Sequence, residues 1–375
     1  MEYQKISVLR LVVKSAALFI VIVLLFGVVN PMPAVGRITL YNWLLPGRER
    51  LPYGDDPERS YNLNLYSLEA MFASHKLAGI PKAEDEFRVL VIGDSSVWGF
   101  LLENGNTLSA ALNAASLHSA DGRNLIFYNL GHPTISLTKD LMILDYAMQY
   151  DPDLILWPVT LEAFPISKQT SSPLVQNNAD RVRNLVADYD LSIDPNNTDL
   201  VNQDFWDRSL IGQRRNLSDI IRLQLYGFMW AASGIDVHIP DEIELRAVDL
   251  ENSEAFFGLQ PPALRVEDLA FDVLGAGIQR AGDVPVLIIN EPTFVSDGAN
   301  SDIRYNSFYP RWAYDSYRVL LQEQSRLNGW NYVDLWQAAH NSEFTNTPIH
   351  LTPQGTLELT NSVISALHDT INIQP

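Results

Sequence analysis

Cysteine is absent from all 375 residues, which removes disulfides, thiolate metal sites, iron–sulfur clusters and cysteine nucleophiles together, and leaves the redox compartment open. Basic residues are scarce: 26 stand against 45 acidic ones, for a formal charge of −19. That balance argues against a nucleic-acid partner, which requires a basic face. Neither G-x-x-x-x-G-K-S/T nor G-x-G-x-x-G occurs, so a nucleotide cofactor has no visible cradle. H-E-x-x-H is missing too. Asp236-x-His238 is a lone pair, and His132 has no second and third ligand beside it in sequence. Neither a metal nor any other cofactor is expected. There is no internal repeat and no low-complexity tract.

What is present begins with an apolar run. Ser15 to Val29 is 15 residues without a charge, and counting back to Leu11 extends it across Lys14. About 20 mostly apolar residues are needed to cross a bilayer core. Lys5, Arg10 and Lys14 precede the run, so the positive-inside rule places the amino terminus in the cytoplasm and the rest outside. A signal anchor is the leading reading. A cleaved signal peptide shares this charge layout but lacks a clear A-x-A site, and a buried core helix is the third reading.

Beyond residue 30 the chain is 47% hydrophobic on the whole-chain count and can afford a sizeable core. Residues 30–86 are mixed, with helical spacing over Leu63 to Leu77. From residue 87 short apolar runs alternate with helical segments. The strands expected are 87–92, 125–130, 153–158, 284–289 and 331–336. The helices expected between them are Leu108–Leu117, Leu137–Tyr150, Trp312–Leu327 and Gln354–His368. Near-continuous apolar strands that alternate with helices predict an α/β, doubly wound, three-layer parallel sheet covered on both faces. Residues 165–280 break the rhythm and hold one strong helix, Leu217 to Ala232, with Asn216 or Ser218 as its expected cap. This helix is apolar around much of its circumference. It is either the core of an inserted, mainly helical cap or a surface that covers the site or meets lipid.

Three places carry chemistry. In FRVLVIGDSSVWG a strand ends at Gly93 and Asp94-Ser95 opens the next turn. Ligands of open parallel sheets sit beyond the carboxyl ends of strands, so Ser95 stands where a nucleophile belongs. Helix capping is the competing role for Asp94 and Ser95. In PIHLTPQG, His350 lies between the last strand and the last helix, on the same sheet edge, and is the candidate general base. In YNLGHPTISL, Gly131 can bring a backbone N–H to a developing oxyanion. Glu291, ending the fourth expected strand, can line the cleft or serve as an ordinary loop acid.

GDSSVWG, the Gly131 turn and HLTPQG, in this order, resemble the SGNH (GDSL-like) hydrolase superfamily over about residues 87–160 and 284–370. The resemblance implies a flavodoxin-like sheet, Ser95 as nucleophile and oxyanion N–H donor, Gly131 as second donor, and His350 as base. Two positions depart. The third block should read G-x-N-D, but Thr160, Leu161 and Glu162 stand there, leaving the Thr160 hydroxyl as a weak substitute donor. The last block should be D-x-x-H, but Thr347 holds the acid's place, with Asn346, Glu343 and Asp334 as candidate replacements. A weakened triad with slow turnover is expected.

The expected organisation is a cytoplasmic tip and membrane anchor over 1–35, a juxtamembrane segment over 36–86, and an SGNH-like domain over 87–375 with an insertion at 165–280. The function implied is an extracytoplasmic serine esterase or O-acyltransferase acting on an ester, with acylated cell-envelope polysaccharide as one substrate class. The alternative is a non-catalytic binding or assembly module of the envelope.

Overall fold

The structure is a computed structural model that describes residues 7–371 and Ile373; Lys5, counted above among the flanking charges, lies outside them. Five strands form one parallel sheet in the order β2-β1-β3-β4-β5. They are β1 (Glu86–Gly93), β2 (Asn124–Gly131), β3 (Leu154–Val159), β4 (Val286–Asn290) and β5 (Asn331–Asp334). This is the flavodoxin-like order, and each element lies within a few residues of its expected place.

The strands are apolar on both faces because both faces are covered. Leu90 and Ile92 of β1, with Trp157 of β3, face a layer that includes α8 (Leu137–Ala147), α12 (Phe271–Ala281) and α13 (Arg311–Asn328). Val89 and Val91, with Leu156, face α7 (Leu108–Ala114) and α14 (Pro353–Ile371). The two-residue alternation along β1 feeds two separate cores. The stretch expected as an insertion, 165–280, therefore ends in a framework element: α12 packs on α8 as the crossover between β3 and β4.

The amino-terminal helix α1 (Val8–Val29) has 22 residues and a mean hydropathy of 2.8. At 1.5 Å per residue it is about 33 Å long, enough to cross a bilayer core. Only Val23 and Gly27 are buried, so it is not a core helix. Two short helices, α2 (Met32–Gly36) and α3 (Leu40–Leu44), follow it. The helical spacing over Leu63 to Leu77 resolves into α4 (Leu68–Ser74) and α5 (Lys76–Gly79).

Between β3 and α12 run α9 (Pro173–Gln176), α10 (Ala179–Tyr189) and α11 (Arg214–Ser233). α11 starts earlier than expected. Gln213 is its cap residue and makes no side-chain capping bond, so neither Asn216 nor Ser218 caps it; both lie inside the helix. Gly227 explains how α11 packs on α3. A Cβ there would sit 2.4 Å from the Tyr41 ring, so only glycine permits the approach.

One buried ion pair joins these parts. Arg50 has no exposed side-chain surface and meets both carboxylate oxygens of Asp236, just past α11, at 2.8 and 3.3 Å. Its remaining nitrogen donates to the carbonyls of Gly99 and Leu102 at 3.0 Å each, and its guanidinium lies 4.5 Å over the Trp98 ring. Removing one member of a buried pair leaves the other charge uncompensated, at about 3–5 kcal/mol. Asp236→Asn should therefore lower the stability of the detergent-solubilised chain by about 3 kcal/mol, read as a fall in the urea midpoint of tryptophan fluorescence. An unchanged midpoint would show that the pair does not hold the segments together.

Candidate active site

β1 ends at Gly93, and a short helix, α6 (Ser95–Trp98), begins at once. Asp94 caps it by accepting the Ser96 N–H at 2.8 Å. The capping role is thus filled by Asp94, and Ser95 is left for another partner. The Ser95 N–H lies in the first turn, where no intrahelical acceptor exists.

That partner is His350. Its Nε2 lies 2.7 Å from Ser95 Oγ, across 255 residues of sequence. Its Nδ1 lies 2.8 Å from Asn346 Oδ1. An amide oxygen only accepts, so Nδ1 carries the proton and Nε2 is free to accept from the serine. Phe100 stacks on the imidazole, with ring centroids 4.9 Å apart. Burial lowers the His350 pKa from 6.5 to about 4, because the charged ring has no water and no anion beside it.

Of the three replacements expected for the missing acid, the structure brings only Asn346 to the imidazole. Glu343 is taken by the Thr352 and Ser342 hydroxyls. Asp334 is held by Arg318 at 2.7 Å and accepts from Asn290 at 2.8 Å. Thr347, in the family's acid position, accepts the backbone N–H of His350 at 3.2 Å and shapes the loop instead.

Gly131 and Thr160 are present, but both have partners. A Cβ on Gly131 would fall 2.3 Å from the Trp98 nitrogen, so glycine is required for β2 to approach α6. Its own N–H donates to Asn129 Oδ1 at 3.0 Å. The Asn129 amide nitrogen donates to the carbonyls of Val97 and Trp98. Thr160 is fully buried, with its hydroxyl 2.6 Å from that of Tyr309. Among the expected oxyanion donors, the Ser95 N–H is the one whose position leaves it open.

Sequence reading missed what lies beneath the serine. Lys139 of α8 is fully buried and donates to the carbonyls of Gly93 and His132 at 2.7 Å each, while its Nζ sits 2.8 Å from Asp140. Burial raises Asp140 to about 6 despite Lys139. Glu291, which the sequence offered as a cleft-lining or a loop acid, is buried there too and bonds the Ser96 hydroxyl. Burial first, and Asp94 second, push its pKa well above the ordinary carboxylate range. The signal available was Lys139-Asp140 inside an otherwise apolar helix, which reads equally well as an exposed stripe. His132 does not join the serine; its ring is buried, edge-on to Tyr53, and burial lowers its pKa to about 3. Asp236 is committed to Arg50, and His238 lies 3.3 Å from Arg59, so that pair assembles no metal site. No cluster of three metal-ligating side chains occurs among the described residues.

These contacts predict an unusual titration. The His350 ring should remain neutral down to about pH 4, and protonate only below it, as followed by its NMR chemical shifts. Asn346→Asp places an anion beside Nδ1, favours the charged ring, and should move the midpoint upward. A wild-type midpoint near 6.5 would show that the imidazole is not buried as described.

No protein-family model matches the chain, and no curated protein matches it. Solved structures do resemble it. A carbohydrate acetylesterase family member from Sinorhizobium meliloti is 12% identical, with a TM-score of 0.33, over 76% of this chain and 99% of its own. Est24, a carbohydrate acetylesterase from the same organism, is 10% identical, with a TM-score of 0.34, over 76% and 99%. A G-D-S-L family protein from Desulfitobacterium hafniense DCB-2 is 10% identical, with a TM-score of 0.33, over 75% and 99%. At such identities the likeness concerns the fold alone.

Proposed function

We propose that this chain is a membrane-anchored serine esterase or O-acyltransferase whose catalytic domain lies outside the cytoplasm. The observation that carries the reading is the 2.7 Å contact between Ser95 Oγ and His350 Nε2 at the carboxyl edge of the sheet. As Ser95 Oγ attacks an ester carbonyl carbon, its proton passes to His350 Nε2. The carbonyl oxygen becomes an oxyanion facing the Ser95 N–H, and the Gly131 N–H can join only by leaving Asn129. Collapse breaks the ester C–O bond, and His350 returns the proton to the leaving alcohol. Water or a sugar hydroxyl then attacks the acyl-serine, giving up its proton to the same nitrogen, which passes it to Ser95 Oγ as the bond between the acyl carbon and Oγ breaks. Acylated cell-envelope polysaccharide is the substrate class proposed.

Asn346 sets the expected pace. It orients the ring but carries no charge to stabilise the imidazolium formed at each step. A serine protease whose acid is neutralised loses about 10⁴ in turnover. A second reading, a non-catalytic binding module, draws on the same region. The Gly131 N–H and the Thr160 hydroxyl already have internal partners.

Labelling separates the two. An organophosphonate should modify Ser95, as located by mass spectrometry, and slow hydrolysis of p-nitrophenyl acetate should vanish in Ser95→Ala. Asn346→Asp should raise kcat at least tenfold, about 1.4 kcal/mol of barrier, and move the acid limb of the pH profile up from about 4. No label and no hydrolysis in either protein would overturn the catalytic reading. For topology, a reporter fused after Pro375 should be active only outside the cytoplasm, and cytoplasmic activity would reverse the orientation.

A further inference from the structure

The residues that follow the membrane helix expose apolar surface that the domain does not use. In α3, Tyr41 turns inward while Trp43 is 75% exposed and Leu40 61%, with Leu44 and Leu45 beside them. α11 is apolar on two sides. Ile220, Leu223 and Gly227 pack inward, and Ile221, Leu225, Phe228 and Met229 form a second, exposed stripe. Their spacing of four, three and one residues places them on one face. The two helices are neighbours: Tyr41 packs against Gly227 and lies edge-on to Phe228, with centroids 6.0 Å apart. The exposed surfaces therefore lie on adjoining helices.

Phe205 and Trp206 bring this region to the level of the bilayer. The Phe205 ring lies 3.0 Å from where a Cβ on Gly27 would be, and Gly27 is in the last turn of α1. Trp206, 63% exposed, is next in sequence, and exposed Ile211 precedes α11.

Charge follows the same pattern. Between Phe205 and Trp230 there are four arginines (Arg208, Arg214, Arg215, Arg222) and two aspartates, in a chain of formal charge −19. All four arginines are exposed. An apolar stripe, tryptophan at the boundary and arginine alongside are the chemistry of a segment that lies in a membrane interface.

We infer that α3, residues 205–211 and the outer stripe of α11 seat in the headgroup layer of the bilayer that α1 crosses, so that the domain lies against the membrane instead of swinging on a single helix. The inference rests on reading α1 as a span. It adds an orientation that the span alone does not supply. Arg50 carries that orientation to the site: it holds Asp236, three residues beyond the end of α11, and the carbonyls of Gly99 and Leu102 that follow the nucleophile's helix.

The test uses the full chain in phosphatidylcholine–phosphatidylglycerol vesicles, with ordinary acyl chains or chains brominated near the glycerol. Brominated lipid should quench tryptophan emission in the wild type, and Trp43→Phe and Trp206→Phe should each remove part of the quenched signal. Equal emission of Trp43 and Trp206 in both lipids, from protein that resists alkaline carbonate washing, overturns the seating while the span stands. Cross-linked pairs through Trp43→Cys or Leu225→Cys, without quenching, would assign the face to a second copy and overturn it as well. Release of the protein by carbonate would overturn the span and the seating together.

Discussion

A single buried ammonium group holds the site's two loops in place. Lys139 draws the Gly93 carbonyl at the end of β1 and the His132 carbonyl beyond β2 onto one nitrogen. Ser95 stands two residues beyond the first anchor and Gly131 one residue before the second. A lysine without exposed surface is tolerable only with an anion and full hydrogen bonding, and Asp140 with two carbonyls meets both needs. The neighbourhood also holds Asp94 and Glu291, so three acids share one cation. Burial raises two of them: Asp140 moves up to about 6, which leaves it mostly ionised at pH 7 beside Lys139, and Glu291 rises well above its ordinary range. The anion that would stabilise a charged His350 is absent: its Nδ1 faces the uncharged Asn346.

That absence shapes the chemistry. With Asn346 accepting from Nδ1, the imidazole is held in the tautomer a serine base needs. Burial and the neutral partner both disfavour the imidazolium, so the ring is a ready acceptor of hydrogen bonds and a reluctant acceptor of a full proton. A carboxylate would raise its basicity, at the expense of protonation at mildly acid pH. The geometry of a base is thus kept while its charge stabilisation is reduced.

Arg50 performs the corresponding service on the outside of the site. Its four hydrogen bonds tie the segment that follows α1, to which Arg50 belongs, to two other parts of the chain, the turn after α6 and the residues following α11. The insertion is consequently not a detachable lid. Asp236, three residues beyond its principal helix, shares a buried charge pair with Arg50 of the segment that follows α1.

The sheet was legible in the sequence because its information is local. Strands covered on both faces must be apolar at nearly every position, and the runs at 87–92 and 153–158 admit no exposed face. The apolar amino-terminal helix was legible for the same reason, since length and missing charge are properties of a single segment. Ser95 and His350 followed from topology, because a parallel sheet collects its strand ends on one edge. Which residue would steady His350 was not readable: Asn346, Glu343 and Asp334 stood open, and a loop conformation set by Thr347 selected Asn346. Lys139 and Arg50 were invisible because a charged residue in sequence shows no burial; only packing removes its water. The commitment of the Gly131 N–H to Asn129 was hidden likewise, since a backbone donor has the same sequence signature whether it is free or bound. Local composition determined the elements and their order, whereas the pairing of buried polar groups, which depends on distances across the whole fold, was decided by the tertiary structure alone.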